Sequence, residues 1–120
     1  MAKGYTQKEG EDFFDTYSPV AWIATIRVLF ALAASYGLHV HQIDVKTAFL
    51  YVELEEEIYM EQPDGFVVLG EENKVGRLIK FLYSLKQTPK QWHEKFDTTL
   101  TSAGFSVNET DKCVLPLWWG

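Results

Sequence analysis

The sequence predicts an α+β fold that combines two helices with short strands and a hairpin. Two segments show apolar residues at helical spacing, and shorter segments with strand patterns lie between and after them. Their order is helix, strand, hairpin, helix, strand, which is not a regular alternation of parallel strands and helices. With 47% hydrophobic residues among 120, the composition favours a folded core over intrinsic disorder.

The first predicted helix starts at Ser18 and ends at Gly37. Ser18 is a good N-cap residue, and Pro19 suits the first helical turn. Gly37 can adopt the left-handed conformation that closes a helix. The helical spacing predicts a buried apolar stripe formed by Trp22, Ile23, Ile26, Leu29, Phe30 and Ala33.

Residues 38–45 (LHVHQIDV) predict a buried central strand, because apolar residues occur on both of its faces. Residues 47–50 predict a turn or a short helix. Residues 57–62 alternate in polarity and predict a strand, which the turn sequence Pro-Asp-Gly at 63–65 closes.

Four further short segments have strand-like composition. Residues 66–69 and 75–79 predict a hairpin with a polar loop between its two strands. Residues 105–107 and 113–117 predict two short strands near the end of the chain.

The second predicted helix begins at Thr88 and ends at Gly104. Thr88 and Gln91 have the spacing of a capping box, with Pro89 at the first helical position. Its predicted buried stripe consists of Trp92, Phe96, Leu100 and Ala103.

The net charge of −6 is unevenly distributed along the chain. Residues 53–72 contain eight acidic residues and no basic one, whereas residues 74–95 contain six basic residues and one acidic residue. The basic segment has the composition to face a phosphate backbone, or it forms an ordinary solvated surface. No apolar run approaches the roughly 20 residues that span a bilayer, and the N-terminus lacks a signal core, so an intracellular location without membrane contact is expected.

Asp44 is the candidate for chemistry that the residues themselves indicate. A carboxylate in an apolar strand carries a large desolvation cost unless it is paired, hydrogen-bonded or bound to a metal. Mg²⁺ prefers carboxylate oxygens, but aspartates at strand ends also serve as caps or salt-bridge partners. Both interpretations of Asp44 stay open at this point.

Several blocks of sequence resemble the reverse transcriptase of Ty1/copia-type LTR retrotransposons, in the order found in that family. They include AKGYTQ, YSPVA, HQIDVKTAFL, ELEEEIYMEQP and LYSLKQTP. The resemblance covers residues 2–114 and implies part of the fingers and palm of a polymerase, with helices packed against an incomplete antiparallel sheet. Residues 115–120 do not resemble the family and are interpreted as a tail, of the kind that a frameshift produces.

The resemblance implies a nucleotidyl-transfer site around the first half of the chain. Asp44 takes the position of the aspartate that binds both catalytic Mg²⁺ ions, and the Val45 carbonyl that of a further metal ligand. Ala48 and Phe49 match nucleotide-binding positions, with Phe49 under the incoming sugar; its alternative role is ordinary core packing. Lys3 matches a basic position near the triphosphate.

The LYSLKQTPK block resembles the motif that contacts template and primer. The residues that it implies for this contact are Tyr83, Ser84, Lys86, Gln87 and Lys90. The partners implied are an RNA or DNA template–primer, a deoxynucleoside triphosphate and the remainder of a Pol polyprotein. The reaction implied is attack of a primer 3′-hydroxyl on the α-phosphate, assisted by two metal ions.

The sequence also departs from the family pattern. It contains no YVDD block, which supplies two further catalytic aspartates, so we expect no polymerase activity from this chain by itself. The family usually has glycine where Ser84 stands, and an asparagine or histidine followed by glycine where Tyr51-Val52 stand. The alternatives to an RNA-directed DNA polymerase fragment are a non-enzymatic nucleic-acid-binding remnant and the product of a decayed retroelement.

Overall fold

The computed structural model describes residues 3–117 and has an α+β composition, as the sequence predicts. The elements are α1 (Ile23–Tyr36), β1 (Tyr59–Glu61), β2 (Val75–Arg77), α2 (Thr88–Ser102) and the 3-10 helices Gly4–Thr6 and Ala48–Tyr51. The short helix predicted at residues 47–50 is therefore confirmed. Neither helix in this part of the chain combines the length and apolar composition that crossing a membrane requires.

The described chain divides into two compact units. The first contains residues 3–17 and 47–92, and the second contains residues 18–46 and 93–117. The buried apolar side chains among the described residues all belong to the first unit: Phe13, Val52, Leu54, Phe81 and Leu85. The hydrophobic core therefore lies in the first unit.

In the first unit, β1 pairs with β2 in an antiparallel sheet, with Met60 opposite Gly76. Past the end of β2, the backbone N–H of Leu54 donates to the Ile79 carbonyl at 3.0 Å. The Phe81 N–H donates to the Val52 carbonyl at 3.2 Å. These two bonds hold the segments around Val52 and Phe81 side by side, and four of the five buried apolar residues pack together there.

The predicted pairing of residues 66–69 with residues 75–79 is wrong, because β2 pairs with β1 instead. Residues 66–69 lie in the loop that joins the two strands. The Gln62 side chain organises this loop: its Nε2 donates to the carbonyls of Glu71 (2.6 Å) and Lys74 (3.1 Å), and its Oε1 accepts from the Val68 N–H (3.0 Å). A side chain thus supplies hydrogen bonds that a strand partner would otherwise have provided.

In the second unit, α1 ends as predicted but starts later. Gly37 has a φ of 62° and closes the helix, with the Leu38 N–H donating to the Ala33 carbonyl at 2.8 Å. The helix begins at Ile23 rather than next to Ser18. No side chain caps the helix at its N-cap residue, Trp22, whose own N–H donates to Oδ2 of Asp111 at 3.4 Å.

The predicted buried stripe of α1 is wrong. Trp22 is 73% exposed, Phe30 57% and Leu29 49%, and of the six predicted residues only Ala33 is half-buried. The helix is apolar on most of its circumference, which is typical of a helix that needs cover on several sides. Among the described residues of its unit, no hydrophobic layer encloses it.

The predicted strand at residues 38–45 is also wrong. This segment has no regular secondary structure, and every residue in it is exposed. A strand with apolar residues on both faces needs hydrogen-bonded neighbours and two covering layers. No segment of the described chain forms a backbone ladder with residues 39–45.

Helix α2 starts at Thr88 and is closed by Gly104, both as predicted. The capping box does not form as expected. The Thr88 hydroxyl donates to the Leu82 carbonyl at 3.0 Å, and the Gln91 N–H donates to the Gln87 carbonyl. The predicted buried stripe is only partly right: Trp92 packs against the core and Leu100 is half-buried, whereas Phe96 and Ala103 are exposed.

The two short strands predicted near the end of the chain do not form regular strands. Residues 105–107 and 113–117 are nevertheless joined by backbone hydrogen bonds. The Ser106 N–H donates to the Pro116 carbonyl at 2.9 Å, and the Asn108 N–H donates to the Val114 carbonyl at 3.0 Å. Of the tail predicted at residues 115–120, the last three residues lie outside the described range.

Candidate functional site

Asp44 lies in the irregular segment before the Ala48–Tyr51 helix and is exposed. The expectation of a carboxylate buried in an apolar strand is therefore wrong, and Asp44 bears no large desolvation cost. Val45 is exposed as well. Between residues 3 and 117, no three His, Cys, Asp or Glu side chains are grouped closely enough to hold a metal ion. The described donor set does not fit a two-Mg²⁺ site, because one carboxylate cannot offset two divalent cations.

Phe49 and Tyr83 lie next to each other in the first unit. Their ring centroids are 4.7 Å apart and their planes are inclined by 53°. Phe49 and Ala48 are half-buried on the 3-10 helix, and the Phe49 ring also packs against the buried core. The structure thus brings together one residue that the resemblance implies for the nucleotide and one that it implies for the template.

Ser84 adopts a left-handed backbone conformation, with a φ of 81°. A non-glycine residue is strained there, which explains why a glycine suits this position. Val52, at the other position where the sequence lacks an expected glycine, has a φ of −103° and is buried in the core. Position 52 therefore has no conformational need for glycine in this chain.

Lys86 is held by the N-terminal segment through neutral groups. Its Nζ donates to the Gln7 carbonyl at 3.0 Å and lies 4.9 Å from the centre of the Phe13 ring. Its backbone N–H donates to Oε1 of Gln7 at 2.9 Å. Both the backbone and the ammonium group of Lys86 are consequently held in place, and the groups that hold them carry no charge.

Gln87 is almost completely buried, with 1% of its surface exposed. Its Oε1 accepts from the Gln7 side chain at 3.1 Å. Its Nε2 donates to the Asp12 carbonyl at 3.2 Å and to Oε2 of Glu56 at 3.0 Å. The side chain therefore ties the N-terminal segment and the segment around Glu56 to the start of α2.

Lys90 forms an ion pair with Asp15. The Nζ of Lys90 lies 2.6 Å from Oδ2 of Asp15, and the side chains are 24% and 54% exposed, respectively. The hydrogen bond from Lys90 and a second one from the Tyr17 N–H hold the pKa of Asp15 below its usual range. Asp15 is thus ionised at neutral pH, and its negative charge sits on the Lys90 ammonium.

Lys3 lines a cavity of about 710 Å³ in the first unit. The cavity has an apolar side formed partly by Met60, but its other charged lining residues are Asp12, Glu61 and Asp64. Three carboxylates around one ammonium give a negative field. The surroundings of Lys3 therefore lend no support to a triphosphate site.

The sequence reasoning missed the residues that hold these groups in place. Gln7, Asp12, Asp15 and Glu56 carry no local pattern that marks them, because each acts on a segment at least 31 residues away along the chain. The one available signal is composition: residues 9–15 contain four acidic residues and no basic one, whereas residues 74–95 contain six basic residues.

The family model described as reverse transcriptase (RNA-dependent DNA polymerase) matches residues 1–116 of this chain. The chain belongs to this reverse transcriptase family. It is similar to the Retrovirus-related Pol polyprotein from transposon TNT 1-94 of Nicotiana tabacum, with 51% identity over 114 residues. The matched region covers 95% of this chain and 9% of that relative. The chain is 40% identical over 117 residues to the Pol polyprotein from transposon RE2 of Arabidopsis thaliana, covering 96% of the chain and 8% of the relative.

A more distant relative is the Transposon Ty1-BL Gag-Pol polyprotein of Saccharomyces cerevisiae, 37% identical over 70 residues, which cover 58% of the chain and 4% of the relative. These relatives identify the reverse transcriptase chain as Ty1/copia-type. It spans less than a tenth of their length. No solved structure matches the reverse transcriptase chain.

Proposed function

We propose that this chain forms part of the fingers and palm of an RNA-directed DNA polymerase encoded by a Ty1/copia-type retrotransposon. In this proposal the complete polymerase extends a primer 3′-hydroxyl with deoxynucleotides, using RNA or DNA as the template. Membership of the reverse transcriptase family supports the reaction class. The order of the sequence blocks supports the assignment to fingers and palm.

The observation that carries the proposal is the contact between Phe49 and Tyr83. The resemblance assigns Phe49 to the sugar of the incoming nucleotide and Tyr83 to the template side of the nascent base pair. Residues with these two roles must be neighbours in a polymerase, because the base of the incoming nucleotide joins its sugar to the template base. Their rings are 4.7 Å apart although 34 residues separate them in the sequence.

Asp44 is the proposed catalytic carboxylate, and its exposure leaves it accessible to substrate. Divalent metal ions are the cofactors expected for the family, but the described residues do not form a site for them. We therefore propose that the 120-residue chain does not extend primers by itself. Activity requires carboxylates that the YVDD block provides in other members of the family.

A chimera tests the proposed function. This chain replaces the 114 matched residues of the tobacco TNT 1-94 Pol polyprotein, and primer extension is measured on an RNA template. We expect activity in the chimera, its loss on Asp44→Asn, and no activity in the isolated chain. Asp64→Asn removes an equivalent charge from the exposed turn after β1 and should leave extension unchanged.

Three results would contradict the proposal in different ways. A chimera that is folded by circular dichroism yet inactive would exclude the polymerase function. A chimera that stays active with Asp44→Asn would exclude the catalytic role of Asp44. Primer extension by the isolated chain, abolished by Asp44→Ala, would show that the chain needs no other carboxylates.

A second function, nucleic-acid binding without catalysis, is favoured by the basic segment at residues 74–95. Lys86 keeps a charged, exposed ammonium whose position is fixed by Gln7. Fixed cations of this kind contact a phosphate backbone at a lower entropic cost than mobile ones. Salt-dependent binding of the isolated chain to an RNA–DNA hybrid, weakened by Lys86→Gln, tests this function directly.

A further inference from the structure

The N-terminal segment, residues 7–15, contacts both lysines that are proposed to bind template and primer. It does so in two different ways. The Lys86 ammonium donates to the Gln7 carbonyl and lies over the Phe13 ring, and both of these partners are uncharged. Lys90 receives the carboxylate of Asp15, which is a full negative charge.

We propose that Asp15 occupies the phosphate-binding position of Lys90 and that nucleic acid must displace it in order to bind there. The proposal rests on the proposed function, because it assumes that Lys90 faces a phosphate backbone. It assigns Asp15 a role that opposes binding, although Asp15 belongs to the same unit as Lys90.

The geometry of the ion pair supports this competition. A carboxylate oxygen 2.6 Å from Lys90 Nζ takes a hydrogen-bond direction that a phosphate oxygen would otherwise use. The positive charge that would attract the phosphate is locally cancelled. The Lys90 side chain is only 24% exposed, so a phosphate that approaches its ammonium meets the Asp15 carboxylate.

The ion pair is also weak enough to be displaced. Asp15 is 54% exposed, and ion pairs with this much solvent contact contribute little to stability. A nucleic acid brings several phosphates at once and releases counterions from its backbone when it binds. Lys86, which keeps its charge, would make the first contact, and Lys90 would follow once Asp15 moves away.

The test compares binding of a fluorescent RNA–DNA hybrid to the full chain and to single variants by anisotropy. We expect Asp15→Asn to tighten binding about two- to fivefold at about 50 mM salt, the range set by the energy of an exposed ion pair. The salt dependence should steepen by up to about 0.9 in log–log slope, equivalent to one additional phosphate contact. Asp64→Asn is the matched control for the loss of one negative charge.

The double variant Asp15→Asn/Lys90→Gln decides whether the effect acts through Lys90. It should bind like Lys90→Gln alone, because Asp15 has nothing left to neutralise. Asp15→Ser provides a second replacement, and thermal unfolding of each variant checks that the fold is intact. Chemical-shift changes at Lys90 on adding the hybrid to the wild-type chain should mark displacement of Asp15.

The proposed competition by Asp15 would be overturned if Asp15→Asn bound the hybrid no more tightly than the wild type does. It would also be overturned if Asp15→Asn bound the hybrid no more tightly than Asp64→Asn does. If Asp15→Asn tightened binding equally in the presence of Lys90→Gln, the effect would not pass through Lys90, and the proposal would also be overturned. If Lys86→Gln and Lys90→Gln both bound like the wild type, the nucleic-acid role of the basic segment would fail. Failure of the nucleic-acid role can be distinguished from failure of the Asp15 proposal, because it is measured with the lysine variants alone.

Discussion

Gly4 lies directly against the backbone carbonyl of Ser84, so closely that a Cβ at residue 4 would overlap the Ser84 oxygen. Gly4 is buried, although it belongs to a 3-10 helix of only three residues. Eighty residues apart in sequence, the two backbones are in contact inside the first unit. The absence of a side chain at residue 4 is what allows the N-terminal segment to reach the residues that precede α2.

Gly4→Ala should destabilise the chain, because the new methyl group meets backbone atoms that cannot rotate away. We expect a loss of about 1–3 kcal/mol in the free energy of unfolding, as for overpacked sites. Urea unfolding measures it. Gly76→Ala is the matched control, since a Cβ there would lie 3.9 Å from its nearest neighbour, the Met60 carbonyl. Equal effects of the two substitutions would contradict the importance of the Gly4 contact.

Ser84→Gly should stabilise the chain by relieving the left-handed backbone conformation. The relief is on the order of 1–2 kcal/mol, and the greater freedom of glycine in the unfolded chain offsets about 0.5–1 kcal/mol of it. A net gain in melting temperature is expected by differential scanning calorimetry. Ser106→Gly, at a residue whose φ is not positive, should instead lower the melting temperature. A loss of stability in Ser84→Gly would mean that the hydroxyl outweighs the strain.

Gln87→Ala should lower the free energy of unfolding by about 2–3 kcal/mol, because it removes a buried amide and leaves its half-buried partners without these hydrogen bonds. The partners affected are the Gln7 side chain, the Asp12 carbonyl and the Glu56 carboxylate. Gln91→Ala, one turn into α2, removes an amide from a half-buried position and should cost much less. Chemical denaturation of both variants tests the difference, and similar losses would argue against a special role for Gln87.

Asp111 makes the stability of the second unit depend on pH. Hydrogen bonds from the Thr25 side chain, and then from the Cys113 N–H, hold the pKa of Asp111 below its ordinary value. The ionised carboxylate therefore stabilises the folded chain above about pH 4, the ordinary pKa of aspartate. This stabilisation is lost as the pH falls through the lower pKa of the folded state.

Asp111→Asn should accordingly be less stable than the wild type at neutral pH and approach it in acid. Melting temperatures recorded from pH 7 down to strongly acidic solution give the difference directly. The pKa values of Asp15 and Glu72 are also lowered. Both residues are present in the wild type and in the variant, so their contributions cancel in the difference between the two melting temperatures. Thr25→Val should reduce the pH dependence by removing its largest cause. A constant difference between wild type and Asp111→Asn at every pH would refute the role of ionisation.

Local sequence signals correctly predicted where both helices end, but they misplaced the start of α1. Gly37 and Gly104 close α1 and α2 because positive φ is a property of the glycine itself. Helix α1 begins at Ile23, and the Trp22 N–H that precedes it donates to Asp111, 89 residues away. Ser18-Pro19 is a good local start, but no local pattern reveals this distant contact.

The strands show the same limit. Residues 57–62 alternate in polarity and form β1, yet the choice of partner was wrong because residues 66–69 have equally suitable composition. The Gln62 side chain binds the backbone of the loop that contains residues 66–69, and a single glutamine carries no such signal in sequence. For residues 38–45, apolar composition predicts burial but cannot supply the neighbouring segments that burial requires.

For the candidate site, the resemblance predicted which residues to consider, and the contacts among them came only from the structure. The Phe49–Tyr83 contact joins two residues that the family pattern had assigned separately. The roles assigned to Asp44, Val45 and the lysines stay predictions. The partners of Gln87 and Lys90 could not be predicted, because hydrogen bonds between distant polar residues leave no periodic pattern.

The exposed position of Asp44 has a genetic consequence. Asp44 contributes nothing to the core that contains Phe81, so a substitution there should leave the chain folded. Under the proposed function, such a product would still occupy templates but would lack the proposed catalytic carboxylate. Where many copies of the element are expressed together, this proposal predicts that an allele altered at Asp44 interferes dominantly with its intact siblings and does not behave as a recessive loss.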